Sequence, residues 1–158
     1  MIQRIQTIFL FIVVVACILL LFFPLAGIYS DLFTYKFYIY ELKNMVPGQE
    51  PVFHKYAAIP LLVLNLAVAV LAAISIFLYK NRVMQLKLVR FCIFIEIVMI
   101  ALIFFPYANM IQKALLSTPD YLSEAGIYFP LIALIFLILS NRFILKDERL
   151  VRSSDRLR

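Results

Sequence analysis

The sequence predicts an all-α membrane protein: four transmembrane helices, arranged as two tandem helical hairpins, with a short β-hairpin-like outer loop between the first and second helices. Three observations point there. Hydrophobic residues make up 65% of the 158 and charged residues 15%, against about 45–50% and about 25% in soluble domains. The apolar residues gather into four runs, each near the ~20 residues that cross a bilayer. Lys and Arg crowd one set of run ends, as orientation in a membrane requires. The mean hydropathy of +1.01 excludes a disordered chain, and only three glycines exclude a collagen-like or linker character.

The first run extends from Ile5 to about Gly27, uncharged between Arg4 and Asp31. It is longer than the usual 7–15 residues of a signal-peptide core and contains Pro24, so an uncleaved anchor is expected. The outer loop, residues 28–56, has strand character. Phe33, Tyr35, Phe37 and Ile39 alternate with Thr34, Lys36, Tyr38 and Tyr40, the period of a half-buried strand. Asn44 to Gly48, with Pro47 beside Gly48, reads as a turn, and Val52 and Phe53 as the end of a returning strand. An isolated two-stranded hairpin is marginal in water, so the loop should pack on helix ends or on a partner. Tyr35, Phe37, Tyr38 and Tyr40 are its candidate contact residues.

The second run covers residues 57–79, the third 91–108 with Glu96 inside it, and the fourth 127–145. The connection 80–90 carries Lys80, Arg82, Lys87 and Arg90 without an acid. The tail, residues 146–158, is rich in Arg but interleaved with Asp147, Glu148 and Asp155. Residues 28–56 and 109–126 balance their charges instead. Both termini and the middle connection are therefore expected in the cytoplasm, with the other two loops outside. Tyr29, Tyr56, Tyr107 and Tyr128 at the outer ends fit an interfacial aromatic belt. Pro24, Pro60, Pro106 and Pro130 lie at the same ends, where a missing N–H costs least.

The halves resemble each other weakly. Phe22-Phe23-Pro24-Leu25-Ala26 is echoed by Phe104-Phe105-Pro106-Tyr107-Ala108, and Ile59-Pro60-Leu61-Leu62 by Phe129-Pro130-Leu131-Ile132. This is the pattern of a parallel duplication. Convergence of helix ends on one interface gives the same pattern.

Glu96 is the ionisable residue deepest in a run, and such a residue is a functional hypothesis by default. Three readings stand. It joins a hydrogen-bonded cluster with Ser75, Ser140 and Asn141; it pairs near the headgroups with Arg90 or Arg142; or it relays a proton or cation. Asn65, Ala69 and Ala73 form a small-residue stripe suited to close helix packing. Arg149, Arg152, Asp155, Arg156 and Arg158 make the tail a candidate interaction segment through specific charge pairing.

Most chemistry fails on inventory. One histidine, His54, and two scattered cysteines, Cys17 and Cys92, supply neither a zinc nor a haem ligand set, and no Cys-x-x-Cys is present. Gly27, Gly48 and Gly126 are too far apart for a phosphate loop. No Ser, His and Asp combination lies in the membrane. An enzyme is not expected, nor a catalytic residue, cofactor, metal or nucleic-acid partner. The net charge of +6 reads as topology.

The terminal strings Met1-Ile2-Gln3-Arg4-Ile5-Gln6-Thr7 and Lys146-Asp147-Glu148-Arg149-Leu150-Val151-Arg152-Ser153-Ser154-Asp155-Arg156-Leu157-Arg158 are the most distinctive. With four runs and this length, they make the chain resemble an uncharacterised four-span family of Bacteroidota, a domain-of-unknown-function family. The resemblance implies a Gram-negative inner-membrane protein and supplies no activity. The expected function is a small accessory or scaffold subunit of a larger membrane complex, or a homo-oligomer in the bilayer. The alternative is a small transporter or ion-coupled channel using Glu96.

Overall fold

The computed structural model describes residues 2–29, 34–45, 57–79, 81–115 and 120–155. The chain is mostly helical. In order come α1 (Ile2–Leu19), β1 (Ala26–Tyr29), β2 (Thr34–Phe37), β3 (Leu42–Asn44), α2 (Ile59–Phe77) and α3 (Arg82–Leu102). A π-helical turn (Ile103–Tyr107), α4 (Ala108–Leu115), β4 (Asp120–Ser123), a 3-10 turn (Ala125–Ile127) and α5 (Tyr128–Asp155) follow. The long helices pack in a ring: α1 against α2, α2 against α3, α3 against α5 and α5 against α1. Three segments, Ile59–Phe77, Arg82–Ile111 and Ala125–Leu150, are long and apolar enough to cross a membrane; the apolar part of α1, Ile5–Leu19, is shorter.

Helix boundaries depart from the apolar runs for local reasons. α1 stops at Leu19, not near Gly27. Pro24 lacks an N–H and drives the residue before it toward extended backbone, so the chain enters β1 instead. α3 begins at Arg82, two turns before the apolar run, because Asn81 caps it by accepting the Met84 N–H at 3.2 Å. The expected loop 80–90 is thus mostly helix, with Gln85, Leu86 and Val89 buried and Lys87 and Arg90 exposed. Pro106 does not end the third run. The backbone widens to a π-helical turn around it and continues into α4, because Pro can bond no carbonyl one turn back. The two Phe-Phe-Pro motifs are therefore not structurally equivalent: one breaks a helix and the other is absorbed.

The strands form one antiparallel sheet in the order β3-β2-β1-β4. This extends the expected hairpin and corrects it. A returning strand pairs with β2 at Leu42–Asn44, so Asn44 is strand rather than turn; Val52 and Phe53 lie with Pro47 and Gly48 outside the described residues. β4, from the connection between α4 and α5, adds a fourth strand. Ile28 faces Tyr35 and Ala26 faces Phe37 in register, and Ile28, Tyr35 and Phe37 enter the core. The alternation predicted for Tyr35 to Ile39 is therefore real, and Tyr35 and Phe37 are core residues rather than contact residues.

The sheet stitches the outer helix ends together. Leu25 N–H donates to Phe37 O at 2.7 Å, Glu124 N–H to Leu25 O at 3.3 Å and Gly126 N–H to Pro24 O at 2.9 Å. The Tyr107 hydroxyl donates to Ala57 O at 2.6 Å and its ring stacks on Phe37 at 5.7 Å. An outer core of Leu20, Leu25, Ile28, Leu61, Met99 and Ile103, among others, fills the space beneath. A second core, including Leu10, Val13, Val68, Val89 and Leu137, fills the other half of the bundle.

Gly126 fits this seam because a Cβ there would meet Pro24 O at 2.3 Å, whereas one at Gly27 would meet only the Tyr29 ring, at 2.9 Å. Gly126→Ala is expected to destabilise the protein by about 1–3 kcal/mol, since backbone must move. Gly27→Ala should cost less, because a tyrosine ring can rotate away. Thermal unfolding of both variants in the same detergent tests the order.

Candidate functional site

The buried polar residues among those described are Gln6, Asn65, Ser75, Gln85, Glu96 and Ser140. They do not form one cluster. Gln85 Nε2 donates to Ser75 O at 2.9 Å, which fixes the level at which α2 and α3 face each other. Glu96 lies eleven positions further along α3, about 16 Å at 1.5 Å per residue. The same count back from Ser75 along antiparallel α2 reaches Leu64 and Asn65. Glu96 therefore stands at the level of Asn65. Asn65 Nδ2 in turn donates to Cys17 O on α1 at 3.0 Å. Cys17 and Cys92 both lie within electrostatic reach of Glu96, consistent with that placement.

Ser140 and Asn141 belong nearer the opposite end. Arg82, at the start of α3, pairs with Asp147 of α5 through Nε and Oδ2 at 3.4 Å, and its Nη1 donates to Asp147 O at 3.4 Å. Seven residues back from Asp147 is about 10 Å, so Ser140 reaches the level of Val89, about 10 Å short of Glu96. The expected cluster of Glu96 with Ser75, Ser140 and Asn141 is thus split into two layers. The apolar run 91–108 begins five residues before Glu96, but α3 starts at Arg82 and Ser75 lies level with Gln85, near that start. Arg90 and Arg142 are both exposed, whereas Glu96 is fully buried and its oxygens have no hydrogen-bond partner among the described residues.

Several polar atoms have no hydrogen-bond partner among the described residues: both Glu96 oxygens, Asn65 Oδ1, Gln85 Oε1, Gln6 Nε2 and the Ser75 and Ser140 hydroxyls. A buried polar group without a partner costs about 1–3 kcal/mol, more if charged. The chemistry of the outer layer is complementary only in one state. Asn65 Oδ1 accepts, and a protonated Glu96 carboxyl is the group at that level able to donate. Between the layers the buried residues of α1, α2 and α3 are apolar, Val13 and Ala16, Val68 and Ala72, Val89 and Cys92, and on α5 Leu137 is followed by the single buried polar residue of this zone among those described, Ser140.

The small-residue stripe is shifted. The buried line of α2 is Leu61, Asn65, Val68, Ala72 and Ser75, with Ala69 and Ala73 half-buried beside it. Strict four-residue spacing drifts about 40° per step around a helix, whereas a contact line alternates threes and fours. Tyr38 and Tyr40 stack on each other at 5.5 Å at the sheet edge, Tyr40 exposed. At the other end, α5 carries the predicted tail as helix to Asp155. Arg149 is exposed; the side chains of Arg152 and Asp155, and all of Arg156 and Arg158, lie outside the described residues. His54 does too. Gln6, inside the first run, and Gln85, in the expected loop 80–90, are buried polar residues that the sequence reading does not single out. Their signal was their spacing: each falls on the core line of its helix, four positions before Leu10 and before Val89.

A double-mutant cycle separates the layers. Asn65→Ala with Glu96→Ala should show coupling of about 0.6–1.7 kcal/mol, the range for interhelical hydrogen bonds in membranes. Ser75→Ala with Glu96→Ala should be additive to about 0.3–0.5 kcal/mol, as expected for distant sites. Equilibrium unfolding in mixed micelles provides the measurement.

Two further features complete the surface. An apolar cavity of about 380 Å³ lies under the sheet, lined by Leu25, Ile28, Phe37, Ile103, Ile111 and Ile127 among others. A second hollow, on α5, is lined by Arg142, Leu145, Lys146, Arg149 and Leu150. No curated protein and no solved structure matches the chain. A family model described as a domain of unknown function, DUF4293, matches residues 2–157. That match spans both helical hairpins, the outer sheet and the α5 extension, and the chain belongs to the DUF4293 family.

Proposed function

We propose that this chain is a four-span inner-membrane protein of a Gram-negative cell, as in Bacteroidota, acting as a small accessory or scaffold subunit of a larger membrane complex. α1 completes the fourth crossing. Its eighteen residues give about 27 Å, and the bonded turn through Phe23, where Phe23 N–H donates to Leu19 O at 3.2 Å, extends it. Both termini face the cytoplasm, on the Lys and Arg asymmetry.

One observation carries the scaffold reading over the relay: the polar residues in the bundle are interrupted. A proton or ion path needs polar groups or water along its length. Here the Asn65–Glu96 level and the Ser75–Gln85 level are separated by packed apolar side chains on α1, α2 and α3, and the lone Ser140 hydroxyl of α5 between them stands about 10 Å short of Glu96, too far to bridge the gap. Glu96 then acts as an interhelical lock, holding α3 to α2 and α1. Partners meet the protein at Tyr38 and Tyr40 outside, at its lipid-facing helices and at the cytoplasmic end of α5.

Single cysteines replacing Lys43 and Ala125 should react with an impermeant thiol reagent on intact spheroplasts, and one replacing Lys87 should not. Mild-detergent purification should recover larger membrane subunits with the wild type and equally with Glu96→Gln, which keeps shape and supplies an amide donor toward Asn65. Proton flux in reconstituted vesicles that is present in the wild type and lost in Glu96→Gln would replace the scaffold reading by the transporter.

A further inference from the structure

The last turns of α5 carry a surface that the bundle does not use. Its core-facing line is Ala133, Leu137, Ser140 and Ile144. On the opposite side, Leu131, Ile135 and Ile138 are exposed apolar residues. Successive steps of four, three or four positions lead from these to Arg142, Lys146 and Arg149, the spacing of one helix face. A single face of one helix thus changes from apolar to basic over about two turns. A hollow of about 480 Å³ lies at the basic part, with Leu145 and Leu150 beside the three cations.

Charge accounting sharpens this. The acids interleaved in the tail suggest internal neutralisation, but Asp147 faces the bundle and is held there by Arg82. Glu148 is half-buried and also engaged. Neither lines the hollow, so Arg142, Lys146 and Arg149 present their charges together.

We infer that this face binds an anionic phospholipid of the cytoplasmic leaflet. Its phosphate sits among Arg142, Lys146 and Arg149, and its acyl chains run along Ile138, Ile135 and Leu131. The match is of chemistry and order. A phospholipid is apolar then anionic along its length, as the face is apolar then basic. Arg presents a planar fork to phosphate and Lys a point charge. An acidic protein segment would satisfy the cations but not the apolar stripe that continues from them. The inference rests on the membrane-spanning reading, so the test first requires that the protein resist carbonate extraction from membranes.

The full-length protein, delipidated in mild detergent, is titrated with phosphatidylglycerol, phosphatidylcholine or inorganic phosphate, and bound lipid is counted by native mass spectrometry. The wild type should retain phosphatidylglycerol in preference to phosphatidylcholine, and millimolar inorganic phosphate should not displace it. Lys146→Gln with Arg149→Gln should weaken retention on the order of tenfold or more, at about 1 kcal/mol per basic residue. Lys87→Gln with Arg90→Gln removes the same charge from exposed positions on α3 and should change retention less than twofold. Both variants must elute as the wild type does. Lys146→Arg serves as a milder variant, retaining the lipid if charge at that position is what matters. Equal losses in the two double variants, no loss in either, or displacement by free phosphate would each overturn the assignment.

Discussion

Everything at the sheet end of this protein follows from the need to pair backbone groups where α1 stops. A helix end leaves carbonyls and N–H groups unsatisfied, and where the chain is buried each must find a partner. Pro24 makes the stop unavoidable. The chain answers by running straight from the last turn into an antiparallel strand. Leu25 bonds to Phe37 on one side and receives from Glu124 on the other, and Pro24 O receives from Gly126. One short segment therefore ties the end of α1 to both outer loops and to the start of α5. The close approach that permits this is the one that a side chain at position 126 would block.

The interior obeys the same rule with fewer partners. Asn65 donates its amide N–H to Cys17 O, a helix carbonyl, and its own oxygen is buried without a partner among the described residues. Gln85 does the same toward Ser75 O. In both layers an amide side chain crosses between neighbouring helices and bonds backbone rather than another side chain. Such bonds fix the rotation and depth of each helix, which apolar contacts alone leave free to slide in lipid. Glu96 fits this pattern as a neutral donor; as a carboxylate it would be a fully buried, unpaired charge, the most costly arrangement available.

Much of this was legible in the sequence. Composition and the length of the runs specify a helical bundle, and the alternation from Tyr35 to Ile39 specifies a strand with an inward face. The resemblance to an uncharacterised domain family, read from the terminal strings, agrees with the family match over residues 2–157. What escaped were features set by single residues acting through tertiary structure. Asn81 starts α3 two turns early, which buries Gln85 in the bundle and sets Glu96 well away from the level of Ser75. Pro24 and Pro106 sit in near-identical strings yet have opposite outcomes, because β2 is available to pair with the chain after Pro24. The residues after Pro106 continue as a helix. β4 could not be foreseen from a segment carrying no clear alternation of its own.

The pair Arg82–Asp147 explains why an acid belongs in so basic a tail. Its side chains are 23% and 13% exposed, and such a pair contributes about 0.2–1 kcal/mol. That is too little to hold the bundle together, which the apolar cores already do. Its effect is directional. Drawing Asp147 toward α3 sets the rotation of α5 beyond Ile144, the last residue of its buried line among those described. Residues 142, 146 and 149 are then turned away from the bundle. The acid neutralises Arg82 at the start of α3, where a positive charge meets the unfavourable end of the helix dipole. It also leaves three cations of α5 facing outward below an apolar stripe. The sheet fixes one end of the bundle by backbone pairing and this ion pair orients the other. The surfaces left for binding are those that neither device consumes.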